Sequence, residues 1–280
     1  MSATRKWLKE LPVVQRVALG VLLLVLLIAA FGPMLAPHPY TQTLGPPFAP
    51  PSGAYPLGTD QLGRDVLSRL LTGGRPVIAF AILATLSTIV IGCTLGMLAG
   101  LKGGWLDEAI MRPLDVAIAV PPLLLVLILV SVLARSPLTI AIVVAVAGAP
   151  VVARIVRSVS LDVATKGFVE AARARGEGSL YIVFREVLPN VMNTVLADAG
   201  VRFVAAIYLI ASASFLGVGS QPPAADWPVM IAENRQGIDI QPWGVVAPAL
   251  LIVAFVVSVG LLAQHMQRRA GTEVVKDMVR

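Results

Sequence analysis

Six blocks of apolar residues set the terms on which this chain can fold: Val17 to Ala36, Val77 to Leu101, Leu114 to Leu133, Leu138 to Val159, Val191 to Leu216 and Val245 to Ala263. A helix needs about 20 apolar residues to cross the hydrocarbon layer of a membrane, so each block is long enough for one crossing. Backbone N–H and C=O groups in lipid must be satisfied within the spanning element, which leaves helices or closed barrels. A barrel needs short alternating segments instead, and the sequence has none. With 57% hydrophobic and 14% charged residues and a mean hydropathy of +0.83, a soluble domain of 280 residues is excluded. The expectation is an all-α membrane protein with six transmembrane helices over residues 17–263, between an N-terminal segment 1–16 and a tail 264–280.

The net charge of +6 and the pI near 9.9 would suit a nucleic-acid binder, but the cations sort by side. Only Arg64, Arg69, Arg75, Arg135 and Arg235 fall between blocks on one side, and Arg202 lies within a block. The other lysines and arginines fall with the N-terminus. The positive-inside rule then places both termini in the cytoplasm, and topology explains the basic pI without nucleic acid. The first block follows Arg5, Lys6 and Lys9 like a secretory signal, but it exceeds the apolar core of about 7–15 residues that such signals carry, so it reads as a retained anchor.

Residues 1 to 12 read equally as a short interfacial helix or a cytoplasmic tail. After the first block comes an outer loop, 37–76, whose early part holds Pro37, Pro39, Pro46, Pro47, Pro50, Pro51 and Pro56. So many prolines forbid helix or inner strand, so this part reads as an extended strap. Beyond it, Thr59 or Asp60 is placed to N-cap a short amphipathic helix with Leu62, Val66, Leu67, Leu70 and Leu71 on its apolar face. Gly92, Gly96 and Gly100 stand at the four-residue spacing that lets helices approach closely, either inside the chain or against a partner. Pro121 and Pro122 interrupt the third block, where Asp115 also lies, and bend it at a place that protein or water must satisfy.

Between the fourth and fifth blocks lies a polar island, Val169 to Asn190, within a cytoplasmic loop spanning 160–190. Glu170, Ala171, Ala172, Arg173, Ala174 and Arg175 are mostly good helix formers, and Gly176 and Gly178 break the run. A second helical run, Ser179 to Val187, is expected to follow, capped by Ser179 and closed by Leu188 and Pro189. Alanines at 171, 172 and 174 leave a face that another protein can approach closely. In the fifth block, Asp198 and Arg202 are four apart and share a helical face with Asn193 nearby. They read as path-lining charges or as a self-neutralising structural pair. An outer loop, 217–244, then carries Gln221, Pro222, Pro223, Asp226, Trp227 and Pro228.

Some chemistry is missing. No G-x-x-x-x-G-K-[ST] phosphate loop occurs, so the chain is not itself an ATPase. Cys93 is the single cysteine, and His38 and His265 are the only imidazoles, so no disulfide, metal cluster or catalytic constellation is expected and the chain reads as a non-enzyme.

The island resembles the integral membrane permeases of ATP-driven importers, whose pattern is E-A-A, three residues, G, nine residues, an apolar residue, any residue, then L-P. Glu170, Ala171, Ala172, Gly176, Leu188 and Pro189 match it, while Glu186 stands where the family usually has Ile or His. The run Gly58-Thr-Asp-Gln-Leu-Gly-Arg-Asp65 narrows the resemblance to the second, C-type permease of the dipeptide, oligopeptide and nickel branch. Many relatives carry Glu before A-S-x-S-F-L-G, where this chain has Ile210. The resemblance implies a type I importer permease fold with cytoplasmic coupling helices, in a bacterial plasma membrane. It implies a second permease, two ATP-binding subunits or one fused ATPase carrying ATP and Mg, and an extracytoplasmic solute-binding protein. Glu170, Ala171, Ala172, Arg173, Gly176, Leu188 and Pro189 would couple to the ATPase. Asp115, Pro121, Pro122, Asn193, Asp198 and Arg202 would line the path, and Gln221, Pro222, Pro223 and Trp227 would face the binding protein. Peptides are the expected cargo on family frequency, with nickel or another small solute as the alternative. The rival of a different class is a stand-alone channel or gradient-driven carrier working through Asp198 and Arg202.

Overall fold

The computed structural model describes residues 12–133, 136–178, 181–220 and 223–278, with side chains described to residue 267. Its helices are α1 (Val13–Leu35), α2 (Val66–Lys102), α3 (Gly104–Ala119), α4 (Pro122–Val132), α5 (Pro137–Ala164) and α6 (Gly167–Ala174). A π-helical turn (Ile182–Val187) leads into α7 (Leu188–Phe215), followed by α8 (Trp227–Asn234), a 3₁₀ turn (Arg235–Gly237) and α9 (Trp243–Met278). Five runs are long and apolar enough to cross a membrane, and α3 with α4 makes a sixth, bent by 101° at its break. The six expected passes correspond to five long helices and the bent pair α3–α4. Among the described residues the only β pairing is two isolated bridges, Thr43 with Arg64 and Thr59 with Asp65.

Several boundaries differ from the sequence reading. The second span absorbs the amphipathic run before it, because α2 is a single helix from Val66. The outer loop therefore ends at Asp65 rather than residue 76. The polar loop 160–190 is mostly helical, as α5 continues to Ala164, α6 spans Gly167–Ala174 and the π turn begins at Ile182. α9 runs on through the expected tail as far as Met278.

The glycine spacing in α2 has its explanation in α5. A Cβ added at Gly92, Gly96 or Gly100 would sit 2.6 Å from Val152 Cβ, 2.8 Å from Val156 Cβ or 2.8 Å from Ser160 Cβ. Real side chains do not pack at such distances, so the glycines are what let the two backbones close, and the seam is internal to the chain. α5 is the central helix, with 61% of its most apolar window buried against 17% for α9.

Two apolar cores lie along this pair. One, toward the residue 37–65 end, gathers Val25, Val66, Val77, Ile140, Ile207, Trp227 and Met230. The other, toward the residue 167–187 end, gathers Cys93, Met97, Val156, Val169, Ala172, Ile182 and Val187. Between α2 and α3 the chain turns through Gly103 (φ +62°) and Gly104 (φ +57°), a left-handed pair suited to residues without a Cβ.

Candidate functional site

At one end of the bundle the Gly58 to Asp65 run folds into a weld. Gly58 (φ +73°) and Gly63 (φ +72°) reverse the chain. Thr59 Oγ1 donates to the Pro46 carbonyl at 2.7 Å and accepts from the Ala49 amide at 2.8 Å, stitching the strap down. Asp60 Oδ1 accepts from the Leu62 and Arg64 amides, and its Oδ2 takes Arg64 Nε at 2.6 Å and Arg69 Nη1 at 2.5 Å. Both guanidiniums also reach Glu233 Oε2 on α8, Arg64 at 2.8 Å and Arg69 at 2.6 Å. All four side chains are at most 7% exposed, so two cations and two carboxylates share one buried cluster. Thr59 and Asp60 are fully engaged in this way, and the N-cap of α2 is Asp65 instead, accepting from the Ser68 amide at 3.0 Å. Leu62 is therefore outside the helix and exposed.

The loop closing this end holds Trp227, which was expected on a docking surface. The structure corrects that expectation: Trp227 is 1% exposed, and its Nε1 donates to the Leu70 carbonyl at 2.8 Å. Its ring fits against Gly73 and Gly74 of α2, where any side chain would collide with it. An indole so placed fills the core and has no surface to offer a partner. Pro223 is exposed, and Gln221 and Pro222 lie outside the described residues. Beside the indole, Asp226 is buried, and burial pushes its carboxyl up to about 6 against the opposing pull of the Ser220 hydroxyl and the charge of Arg69.

The other end carries the polar island. α6 buries Val169 and Ala172 in the second core and exposes Glu170, Ala171, Arg173 and Ala174. Ala172 thus points inward, leaving 171 and 174 as the bare positions. Gly176 has φ +80°, and its amide donates to Arg173 O at 3.0 Å while Glu177 N donates to Ala172 O at 3.1 Å. Those two bonds form a Schellman ending, which requires a left-handed residue where Gly176 stands. The expected cap Ser179 lies outside the described residues.

Beyond the corner, the expected stop at Leu188 and Pro189 does not occur. Helix passes straight through them, because the turn before Pro189 is π-helical: the Leu188 amide bonds Val183 O, five residues back. The wider turn stands where the proline ring and its missing N–H would otherwise break an α-helical ladder. The run from Ile182 to Phe215 is consequently one 34-residue rod.

The expected path residues are not gathered at one point. Arg202 Nε meets Asp198 Oδ2 at 2.8 Å, with each side chain 20% exposed, so these two neutralise each other along α7. Asn193, a turn earlier, is exposed. Asp115 lies on α3 and pairs with Arg154 of α5 at 2.5 Å. Close by, Asp107 receives both Nε and Nη2 of Arg157. These pairs surround a cavity of ≈ 360 Å³ also lined by Glu108 and Arg112.

Pro121 and Pro122 are exposed at the 101° elbow. Neither has an N–H to lose, and the Val120 amide is satisfied by Ala117 O at 3.3 Å, so the break leaves few orphan donors. Directly after it, Leu123 joins Phe215, Pro228 and Ile252 in lining an apolar cavity of ≈ 400 Å³. Neither cavity was apparent in the sequence, because each is assembled from helices far apart along the chain.

A bundle of five long apolar helices and one bent pair, with a short polar helix seated on one end, is the architecture of a multi-pass membrane protein. The backbone superposes on inward-facing structures of the MetNI methionine ABC transporter with a TM-score of 0.57 at 17% identity, covering 72% of this chain and 96% of that one. The chain belongs to the family described as the binding-protein-dependent transport system inner membrane component, which matches residues 92–272. Residues 16–51 match the N-terminal TM domain of oligopeptide transport permease C.

Similar proteins include the dipeptide transport system permease protein DppC of Alkalihalophilus pseudofirmus, 31% identical over 95% of this chain and 89% of the relative. The glutathione transport system permease protein GsiD of Pectobacterium atrosepticum is 37% identical over 78% of this chain and 72% of its own length. The oligopeptide transport system permease protein OppC of Bacillus subtilis is 34% identical over 83% and 77%.

Proposed function

We propose that this permease forms half of the translocation path of an ATP-driven peptide importer in a bacterial plasma membrane. A second related permease completes the path, and a pair of ATP-binding subunits or one fused ATPase supplies the energy with Mg and ATP. An extracytoplasmic solute-binding protein delivers the cargo. Both termini and the 167–187 segment face the cytoplasm, and the strap and α8 face outward, as the distribution of lysine and arginine favours.

The observation that carries the reading is the mechanical continuity of the island. α6 exposes Glu170, Ala171, Arg173 and Ala174, is anchored through Val169 and Ala172, and packs on the π turn that leads without interruption into α7. A push on α6 from an ATPase closing on its nucleotide is thereby delivered to a spanning rod, rocking the bundle between inward and outward openings. Glu170 offers the charged contact, and Gly176 sets the angle at which α6 is held.

The test is reconstitution. The chain purified with its co-purifying partners, placed in proteoliposomes with binding protein, is expected to accumulate a labelled dipeptide only when ATP is present. Uptake of a nickel chelate in place of peptide would reassign the cargo. Gradient-driven uptake by the chain alone would replace the importer by a carrier.

A further inference from the structure

A cavity of ≈ 420 Å³ lies between the end of α2, α6 and the π turn, and of its walls the import reading uses only Arg173, whose α6 also meets the ATPase. Its walls are amphiphilic in a graded way. Met97, Leu98 and Phe184 supply apolar surface, while Lys102 and Arg173 bring two cations to the same space. Neither cation has an ion-pair partner among the described residues, although other arginines near this end, such as Arg154 and Arg157, are matched to carboxylates. Leu98 is 43% and Phe184 64% exposed, so the apolar wall continues onto the outside of the bundle, where acyl chains pack.

Depth agrees with this. α2 has 37 residues, about 55 Å of helix, against a hydrocarbon layer of about 30 Å. Lys102 is its last residue and the ammonium of such a residue belongs at headgroup level, while Leu98 one turn earlier reaches the acyl region. Basic pockets between spanning helices on the cytoplasmic side favour anionic headgroups, and that leaflet is where anionic lipid is held.

We propose that this cavity is a binding site for an anionic phospholipid of the inner leaflet, its phosphate held by Lys102 and Arg173 and its acyl chain laid along Met97, Leu98 and Phe184. The lipid would fill the space behind α6 and brace that helix against α2. Its orientation rests on the topology proposed above. Its detection does not require transport.

The experiment uses the chain, with whatever partners co-purify, in phosphatidylcholine nanodiscs carrying trace photoreactive phosphatidylglycerol or, in parallel, photoreactive phosphatidylcholine. After irradiation, cross-linked peptides are quantified. Labelling by phosphatidylglycerol around Leu98 and Phe184 is expected to exceed that by phosphatidylcholine roughly 30-fold, from about 1 kcal/mol for each of two cations. Lys102→Gln should lower it about fivefold and Lys102→Arg restore it. Leu98→Trp, which fills the cavity, should abolish it.

Equal labelling by the two lipids overturns the proposal, as does labelling indifferent to Lys102→Gln. Suppression of the labelling by inorganic phosphate but not by chloride at the same ionic strength would assign the cations to a free phosphate and equally overturn the lipid. Absence of peptide uptake in the reconstitution above would leave this result untouched.

Discussion

Removing Glu233 tests whether the weld at the strap end holds the fold together. Glu233 Oε2 takes Arg64 Nη2 at 2.8 Å and Arg69 Nη1 at 2.6 Å, and the two guanidiniums are 2% and 0% exposed. In Glu233→Ala, both fall back on Asp60, whose Oδ2 already accepts from each, with only the Ala224 carbonyl at 3.0 Å as further help for Arg69. The cluster then carries an unbalanced buried positive charge. Breaking a buried pair in this way costs about 3–5 kcal/mol.

For a chain of this size, 1 kcal/mol corresponds to about 2 °C in Tm, so a loss of roughly 6–10 °C is expected in detergent at a fixed scan rate. Adding Arg69→Leu removes the surplus cation. The double variant should then be destabilised less than the sum of its parts by roughly 1.5 kcal/mol or more. A Glu233→Ala shift under about 2 °C, or strict additivity in the double variant, would refute the argument that the four charges act as one unit.

Three further predictions concern other regions. Gly176→Val forces a β-branched residue to φ +80°, at a cost of at least 1–2 kcal/mol, and should lower ATP-dependent uptake at least tenfold while membrane insertion persists; unchanged uptake would remove α6 from the coupling route. Asp198→Asn combined with Arg202→Gln deletes a matched pair, so an importer should retain most of its uptake, whereas near-complete loss would mark the pair as path machinery. The Asp226 carboxyl, raised to about 6 by burial, binds its proton more tightly folded than unfolded. Its stabilising contribution is therefore complete below the ordinary carboxylate range and disappears as pH rises through about 6. Asp226→Asn should accordingly raise Tm at pH 8, by at most about 3 kcal/mol equivalent, and match the parent at pH 4. Parallel pH profiles for the two proteins would contradict this.

Which features could be read from the sequence follows from the range of the forces involved. Lipid imposes its demand on every residue of a crossing, so the six apolar blocks stood out, and Pro121 and Pro122 marked the break because proline acts on its own backbone. Gly92, Gly96 and Gly100 declared a close seam, yet only α5 could say which helix fills it. Pro189 misled because the rule that proline ends a helix assumes an α-helical turn before it, and here the turn is π. Trp227 misled for a different reason: the resemblance assigned its whole outer loop to docking, and a resemblance of sequence does not show that Gly73 and Gly74 make room for the ring inside the core. The pairing of Glu233 with Arg64 spans 169 positions, and no periodicity connects residues so far apart.

The glycine seam between α2 and α5 has a mechanical meaning as well. Where Gly92, Gly96 and Gly100 let the α2 backbone rest directly on Val152, Val156 and Ser160 of α5, no side chains of α2 cushion the contact, and along that seam the two rods resist bending as a single beam. Strain applied at one end of such a beam is not absorbed along it but passed to its joints. One such joint is the glycine pair 103–104, where the broken pass leaves the beam; beyond the beam the backbone also bends at the Pro121 elbow and turns at the Gly176 corner. The permease is in this sense a stiff mast, and the glycine pair, the elbow and the corner are where its backbone departs from straight helix.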